Sequence, residues 1–313
     1  MRFDIQPITR FTGIELADIQ ALEVTRWREM LTWDFSPSAR LVAAAIDQRL
    51  LGGGVLLSAG RPVGYCYYVR DESRAAVGSF FYLADAVDPA AATSLINATL
   101  TELIHDRHIL RIEAQLPVSD RDITLSAFQH LSFAAYPRLF MMRAVDASRD
   151  VAVEADAGHI LRPWTPDDLD ASAALLTEAC QGEIDTAIHV QYSSRDGCRE
   201  FLEDLLRHPG CGQFDPALSL AALNRATGSL CGFILGSRIS HGNAHVPQIA
   251  VHPAVWGRGI GRALMRAFLA HTLTSGYTAA SLNVTEANAR AVTLYRDLGL
   301  REAHRFNAYV FQR

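Results

Sequence analysis

Three glycines at alternate positions, Gly257, Gly259 and Gly261, stand where strand-type sequence gives way to helix-type sequence. The stretch is Val251-His252-Pro253-Ala254-Val255-Trp256-Gly257-Arg258-Gly259-Ile260-Gly261-Arg262-Ala263-Leu264. Glycines let the backbone turn tightly and let a ligand touch peptide N–H groups directly. A helix N-terminus adds unpaired N–H donors and a positive dipole end. Together these suit a pyrophosphate, and Arg258 and Arg262 add charge. A tight structural turn without a ligand is the alternative reading of the loop by itself. A dinucleotide fingerprint would need Gly-x-Gly-x-x-Gly straight after the first strand of a βαβ unit, and a kinase-type loop would need Gly-Lys-Ser/Thr. Here the loop follows a late strand, the spacing is Gly-x-Gly-x-Gly, and no lysine follows.

Downstream, Ser281-Leu282-Asn283-Val284-Thr285-Glu286-Ala287-Asn288 leads into Ala289–Leu300. The pattern is a strand, a short link and a helix. Asn288, Ala291 and Tyr295 stand at i, i+3 and i+7 and share a helical face. His241 and His245 raise the question of a metal pair. Gly242-Asn243 between them reads as a turn, no third ligand is evident, and no metal site is expected.

The elements that must position these residues occur twice in the same order. Ile5-Gln6-Pro7 and Leu161-Arg162-Pro163 open the two passes. A helix follows near Leu16–Thr32 in one and Leu169–Ala179 in the other. Hairpins come next, Gly53–Ser58 with Val63–Val69, and Ser219–Leu223 with Leu230–Ser237. Third strands end at Ala86-Val87-Asp88-Pro89 and Ala250-Val251-His252-Pro253. A helix (Gly261 to about Ser275 in the second pass), a strand (Leu110–Leu116; Ala279–Val284), a second helix and a last strand complete each pass. Ala127–Phe133 aligns without gaps on Leu294–Leu300. The fold class is therefore α/β with a mixed sheet. A tandem repeat is favoured over chance likeness, with domains 1–150 and 159–313 and a seam in the polar stretch Asp146–Gly158.

Composition sets the class. The 313 residues are 49% hydrophobic and 20% charged, with a formal net charge of −5. These values fit a globular chain of two domains. The negative balance argues against a nucleic-acid surface, which needs a basic stripe. Five widely spaced cysteines without a CxxC pair read as reduced thiols, and the expected location is the cytoplasm. No signal-peptide core opens the chain, and no apolar run reaches membrane-spanning length. No feature specifies an oligomeric state.

The glycine loop and the Asn288…Tyr295 helix together resemble the GNAT superfamily of acetyl-CoA-dependent acetyltransferases, over about 150 residues. The resemblance implies two tandem GNAT-like acyltransferase domains, of which 159–313 is catalytic, with acetyl-CoA as the cofactor. It places cofactor contacts at Ile249, Ala250, Val251, Gly257, Arg258, Gly259, Ile260, Gly261, Arg262, Asn283, Asn288 and Tyr295. In the family two parallel strands splay apart around the pantetheine arm. The corresponding strands here are His245–Val251 and Ala279–Val284. Tyr295 takes the family's position for the acid that protonates the leaving thiolate. His245 stands six residues before Val251, where many relatives carry Glu. An imidazole of pKa near ~6.5 there would serve as the base, a hydrogen-bonded strand histidine being the alternative. Glu183, Asp185 and His189 lie where substrate-facing loops form and are weaker candidates. One departure is Trp256, where the family usually has Arg or Gln.

The first pass keeps the pattern without the chemistry. Ala90-Ala91-Ala92-Thr93-Ser94 carries no glycine, Phe128 stands opposite Tyr295, and Arg121 stands opposite Asn288. This resembles the degenerate half of tandem acetyltransferases with a mycothiol synthase-like architecture. The implied activity is acetyl transfer to a primary amine of a small molecule or peptide. A non-catalytic acyl-CoA sensor is the reading from another class.

Overall fold

The computed structural model describes residues 3–150 and 158–313. Residues 151–157 of the expected seam lie outside the described residues. The chain divides into two compact units, Met1–Arg138 with Arg305–Arg313, and Leu139–His304.

In chain order the first unit forms β1 (Phe3–Pro7), α1 (Ala17–Leu31), α2 (Ser36–Asp47), β2 (Gly52–Ser58), β3 (Arg61–Asp71), β4 (Arg74–Tyr82), α3 (Pro89–His105), β5 (Arg111–Gln115), α4 (Arg121–His130) and the start of β6 (Ala134–Ala144). The second takes the rest of β6 and then forms β7 (His159–Pro163), α5 (Leu169–Cys180), α6 (Ile184–Ile188), α7 (Arg195–Arg207), β8 (Gln213–Phe214), β9 (Leu220–Asn224), β10 (Leu230–Arg238), β11 (Asn243–Val251), α8 (Ile260–Thr274), β12 (Ala279–Thr285), α9 (Ala289–Asp297) and the start of β13 (Arg301–Gln312). The two divisions fall inside β6 and β13, so Arg305–Arg313 counts with the first unit. The expected cut into 1–150 and 159–313 assigns Arg305–Arg313 to the second domain. Alternation along a strand shows which face is buried but not which neighbour it will pair with.

The first unit's sheet runs β1-β2-β3-β4-β5-β13, with Ala308–Gln312 antiparallel to Arg111–Gln115. Among its described residues only β4 and β5 pair in parallel, and α3 is their crossover. One face packs Leu95, Ile96, Leu100 and Leu103 of α3 on Phe80 and Ile112. The other packs Ile19 and Leu16 on Val55, Tyr65 and Tyr67.

The second unit repeats this plan, with strands ordered β6-β12-β11-β10-β9-β7 and a parallel pair, β11–β12, bridged by α8. Leu264 and Phe268 of α8 are fully buried, each contributing about 1.5–3 kcal/mol through removal from water. Leu176 and Leu202, from α5 and α7, cover the opposite face with Phe233. The gapless match between the two passes holds at the ends of α4 and α9, where Ser132 (φ 64°) and Gly299 (φ 88°) are both left-handed.

The match of the third strands is corrected. β4 stops at Tyr82, not at Val87. Asp88 is instead the cap of α3, its carboxylate accepting from the Ala91 N–H at 2.8 Å, with Pro89 as the first helical residue. Ladder register makes Val77 the counterpart of Val246, each being the last residue paired in parallel.

Candidate active site

The parallel ladder between β11 and β12 joins Asn243–Val246 to Ala279–Leu282 and then stops. Both strands continue, to Val251 and Thr285. The cause lies on the other edge of β11. Leu235 pairs with Gln248 and Ser237 with His245, so one residue of β10 faces two of β11, Val246 and Pro247. This is a β-bulge, and Pro247 has no N–H to give a ladder. The bulge re-aims β11 and leaves Pro247–Val251 and Asn283–Thr285 without each other as ladder partners. Asn283 is the first residue past the last pair, and its buried Oδ1 has no hydrogen-bond partner. Tyr192 donates its hydroxyl to Gln248 Oε1 at 2.9 Å.

Beyond Val251 the chain reaches the glycine loop. Gly257 and Gly259 have φ of 79° and 80°, the left-handed region where a side chain is strained. A Cβ at either would meet nothing within 4 Å, so the space above both is open. Gly259 is the N-cap of α8 and offers no side-chain acceptor. The first-turn N–H groups are therefore left for solvent or a ligand. Arg258 is exposed. Arg262 pairs instead with Asp297 at 2.7 Å. Trp256 donates its indole N–H to the Val251 carbonyl at 2.7 Å. The Arg290 guanidinium lies 3.7 Å from the centre of the Trp256 ring, and 3.6 Å from Glu183.

Tyr295 is buried. Burial, and then the charge of Asp185, raise its phenol pKa, so it keeps its proton at neutral pH. Asp185 reaches the same place, accepting a hydrogen bond from the Thr285 hydroxyl at 2.5 Å. Asn288 sits one residue before α9 as its N-cap, with Oδ1 accepting from the Ala291 N–H at 3.1 Å. Among the strand residues expected at the cofactor, Ile249 and Val251 are half-buried and Ala250 is buried.

The expected base, His245, is buried. It pairs with Ser281 below the point where the strands part. It is 2% exposed, its Nδ1 lies 3.0 Å from Ser281 Oγ, and its ring stacks on Phe140 at 6.1 Å. Burial pushes its pKa down to about 3. An imidazole placed this way does not collect protons near neutrality. His189 packs against the rings of Tyr192 and Phe201. Among the described residues no His, Cys, Asp or Glu cluster could hold a metal.

The first unit has the same parting of strands. Its β4–β5 ladder ends at Val77 and Ala114, after a register shift between Tyr67 and Tyr68. Here the chain itself takes up a main-chain acceptor beyond the last ladder pair. Ser119 donates to the Phe80 carbonyl at 2.6 Å. Glu23 is buried among Tyr65, Ser79 and Trp27, and burial raises its pKa. Phe128 stacks on Tyr309 at 4.0 Å. Asp120, not Arg121, caps α4.

Residues 186–300 match the sequence profile of the Acetyltransferase (GNAT) family. A mycothiol acetyltransferase of Clavibacter michiganensis is 35% identical over 147 residues, 47% of this chain and 44% of that protein. One of Thermobispora bispora is 39% identical over 106 residues, 31% and 35% of the two lengths. The matched stretch thus spans less than half of those relatives. Two solved structures share the fold. A GCN5-related N-acetyltransferase of Sphaerobacter thermophilus superposes with a TM-score of 0.72 at 18% identity, over 99% of this chain and 95% of the other. A tandem GNAT protein from the clavulanic acid biosynthesis pathway gives 0.64 at 16%, over 99% and 98%. The parted strands and the uncapped glycine loop lie in the same unit as residues 186–300, the stretch that matches the acetyltransferase (GNAT) family.

Proposed function

We propose that the second unit moves an acetyl group from acetyl-CoA to a primary amine of a small molecule or peptide, by direct attack while both are bound, in the cytoplasm. The observation that carries this reading is the opening between β11 and β12, with the uncapped loop beyond one strand and Tyr295 close to the other. The residues present fit the cofactor. Asn283 Oδ1 is a buried acceptor lacking a donor, and the space over Gly257 and Gly259 is open.

When bound, acetyl-CoA supplies an activated acyl thioester. The N–H groups of Gly257–Arg262 hold its pyrophosphate, with Arg258 adding charge. Asn283 and the backbone of Ile249–Val251 take the arm as a missing strand would, and Trp256 yields the Val251 carbonyl. A strand N–H polarises the carbonyl to be attacked. Tyr295 gives its proton to the departing sulfur. The first unit, whose Phe80 carbonyl is already taken by Ser119 and which has no glycine at the start of α3, holds no cofactor and serves as a degenerate partner.

The relatives named mycothiol acetyltransferases favour a small-molecule amine, so their acceptor heads the panel to be tried. The test is incubation with acetyl-CoA and an amine panel, reading free thiol and acetylated product by mass. Acceptor-dependent thiol release is expected. Acetyl-CoA binding without thiol release across the panel would make the unit an acyl-CoA sensor instead.

A further inference from the structure

We propose that Asp185 is the group that receives the acceptor's ammonium and takes its proton, an inference that rests on the acetyl-transfer reading above. With His245 buried and hydrogen-bonded to Ser281, the amine side of the reaction needs another base. An alkylammonium has no lone pair, and its pKa near ~10 keeps it charged at neutral pH.

Three observations converge on Asp185. It stands on α6 next to the opening, and the bond from Thr285 holds its Oδ1 at 2.5 Å. Thr285 is the last residue of β12, past the final ladder pair, and is buried. The carboxylate is thereby fixed at the parted strand ends, with Oδ2 left for a substrate. Second, its charge is felt by both Tyr295 and Cys180. The acid and the proposed base are therefore close enough for the charge of one to act on the other. Third, the neighbouring acids are engaged elsewhere. Glu183 faces Arg290, and Glu178 pairs with His252 at 2.9 Å.

The protons balance. Between ammonium and amide the nitrogen loses two. Asp185 accepts the first and returns it to solvent. The free amine then forms the C–N bond, and the C–S bond breaks as Tyr295 protonates the sulfur. The nitrogen's second proton leaves to solvent, and solvent restores the Tyr295 phenol.

The test compares wild type, Asp185→Asn and Asp185→Glu on two acceptors, an alkylamine and hydroxylamine, which is largely uncharged at neutral pH. Acetyl-CoA affinity by calorimetry and Tm monitor folding. Asp185→Asn should lower kcat/KM for the alkylamine by ~10²–10⁴-fold and for hydroxylamine far less, with acetyl-CoA affinity kept. Asp185→Glu should restore part of the alkylamine rate. Equal losses on both acceptors, or no loss, would overturn the assignment while leaving acetyl transfer intact. A wild-type protein that turns over neither acceptor, nor any other amine, overturns the acetyl-transfer reading itself, and this inference with it.

Discussion

Trp256 donates its indole N–H to the carbonyl of Val251 at 2.7 Å, folding the residue after the bend back onto the end of β11. That carbonyl is one that the pantetheine arm would use. Such a hydrogen bond is worth only ~0.5–1.5 kcal/mol net, and the Arg290 contact on an exposed ring about as much again. Both yield to a ligand that replaces them. Trp256 is 36% exposed, whereas Trp33 and Trp164 are buried. Adding CoA should therefore change the tryptophan emission, and Trp256→Phe should abolish the change while altering affinity less than about tenfold. A fluorescence titration beside calorimetry checks both; an unchanged signal in the variant would place the reporter elsewhere.

The loop makes a sharper demand at Gly259. Its φ of 80° strains any side chain, although nothing stands within 4 Å of a Cβ there. Gly259→Ala should cost about 1–2 kcal/mol of stability from the left-handed backbone. Gly259→Glu adds a like charge in the phosphate space and should abolish acetyl-CoA binding in a protein that still folds. Thermal unfolding measures the first effect and calorimetry the second. Wild-type affinity in Gly259→Glu would remove the pyrophosphate from this loop.

The two parted ladders make a prediction about stoichiometry. In the first unit the Phe80 carbonyl already accepts from Ser119, Glu23 is buried beside Ser79, and no glycine stands at the start of α3. Acetyl-CoA should bind at one site per chain. Calorimetry giving a value near two would mean that the first unit opens its strands to a second molecule.

Much of this was legible because it is local. Hydrophobic periodicity places α8 within a residue of its start, and the glycines mark their own turn. The Ser132–Gly299 correspondence follows from a gapless match. The sheet neighbours of β13 are a property of the whole chain and have no local pattern. Val87 was read as the end of a strand because Asp88-Pro89 resembles His252-Pro253, yet both pairs are helix or turn starters that say little about the residues before them. Pro247 was a missed signal. Proline inside a central strand announces a bulge, and the bulge explains why the strands part. The burial of His245 depends on Phe140 and Ser281, distant in sequence, and has no local pattern. Asp185 lies on a helix of five residues, too short for periodicity to show.

His245 has its own consequence for stability. Its folded pKa, about 3, lies below the unfolded value near ~6.5. Above ~6.5 both states are neutral and the group adds no pH dependence. Below that the unfolded chain binds the proton and the folded one does not, so stability falls with pH through the window down to about 3. The limiting slope is about 1.4 kcal/mol per pH unit. His245→Gln should flatten the decline of Tm between pH ~6 and ~4 relative to wild type. Parallel Tm profiles for the two proteins would mean that the imidazole charges inside the fold.

Tyr295→Phe removes one hydroxyl and keeps a buried ring, so packing should change little and Tm should stay within a few degrees. Among the described residues no hydrogen bond commits that hydroxyl to a structural partner, and burial beside Asp185 keeps it protonated at neutral pH. Its proton is thus available to the departing sulfur. General acid catalysis contributes ~10²–10⁴-fold, and a CoA thiolate leaves well enough to favour the lower end. With saturating acceptor, so that chemistry limits the rate, kcat should fall by about 10²-fold while acetyl-CoA affinity stays near wild type. Phe128 is the comparison that the chain itself supplies. In the unit without a glycine loop the matching ring carries no hydroxyl and stacks on Tyr309 as a packing group. Wild-type turnover by Tyr295→Phe under those conditions would assign the same packing role to Tyr295 and pass protonation of the sulfur to water.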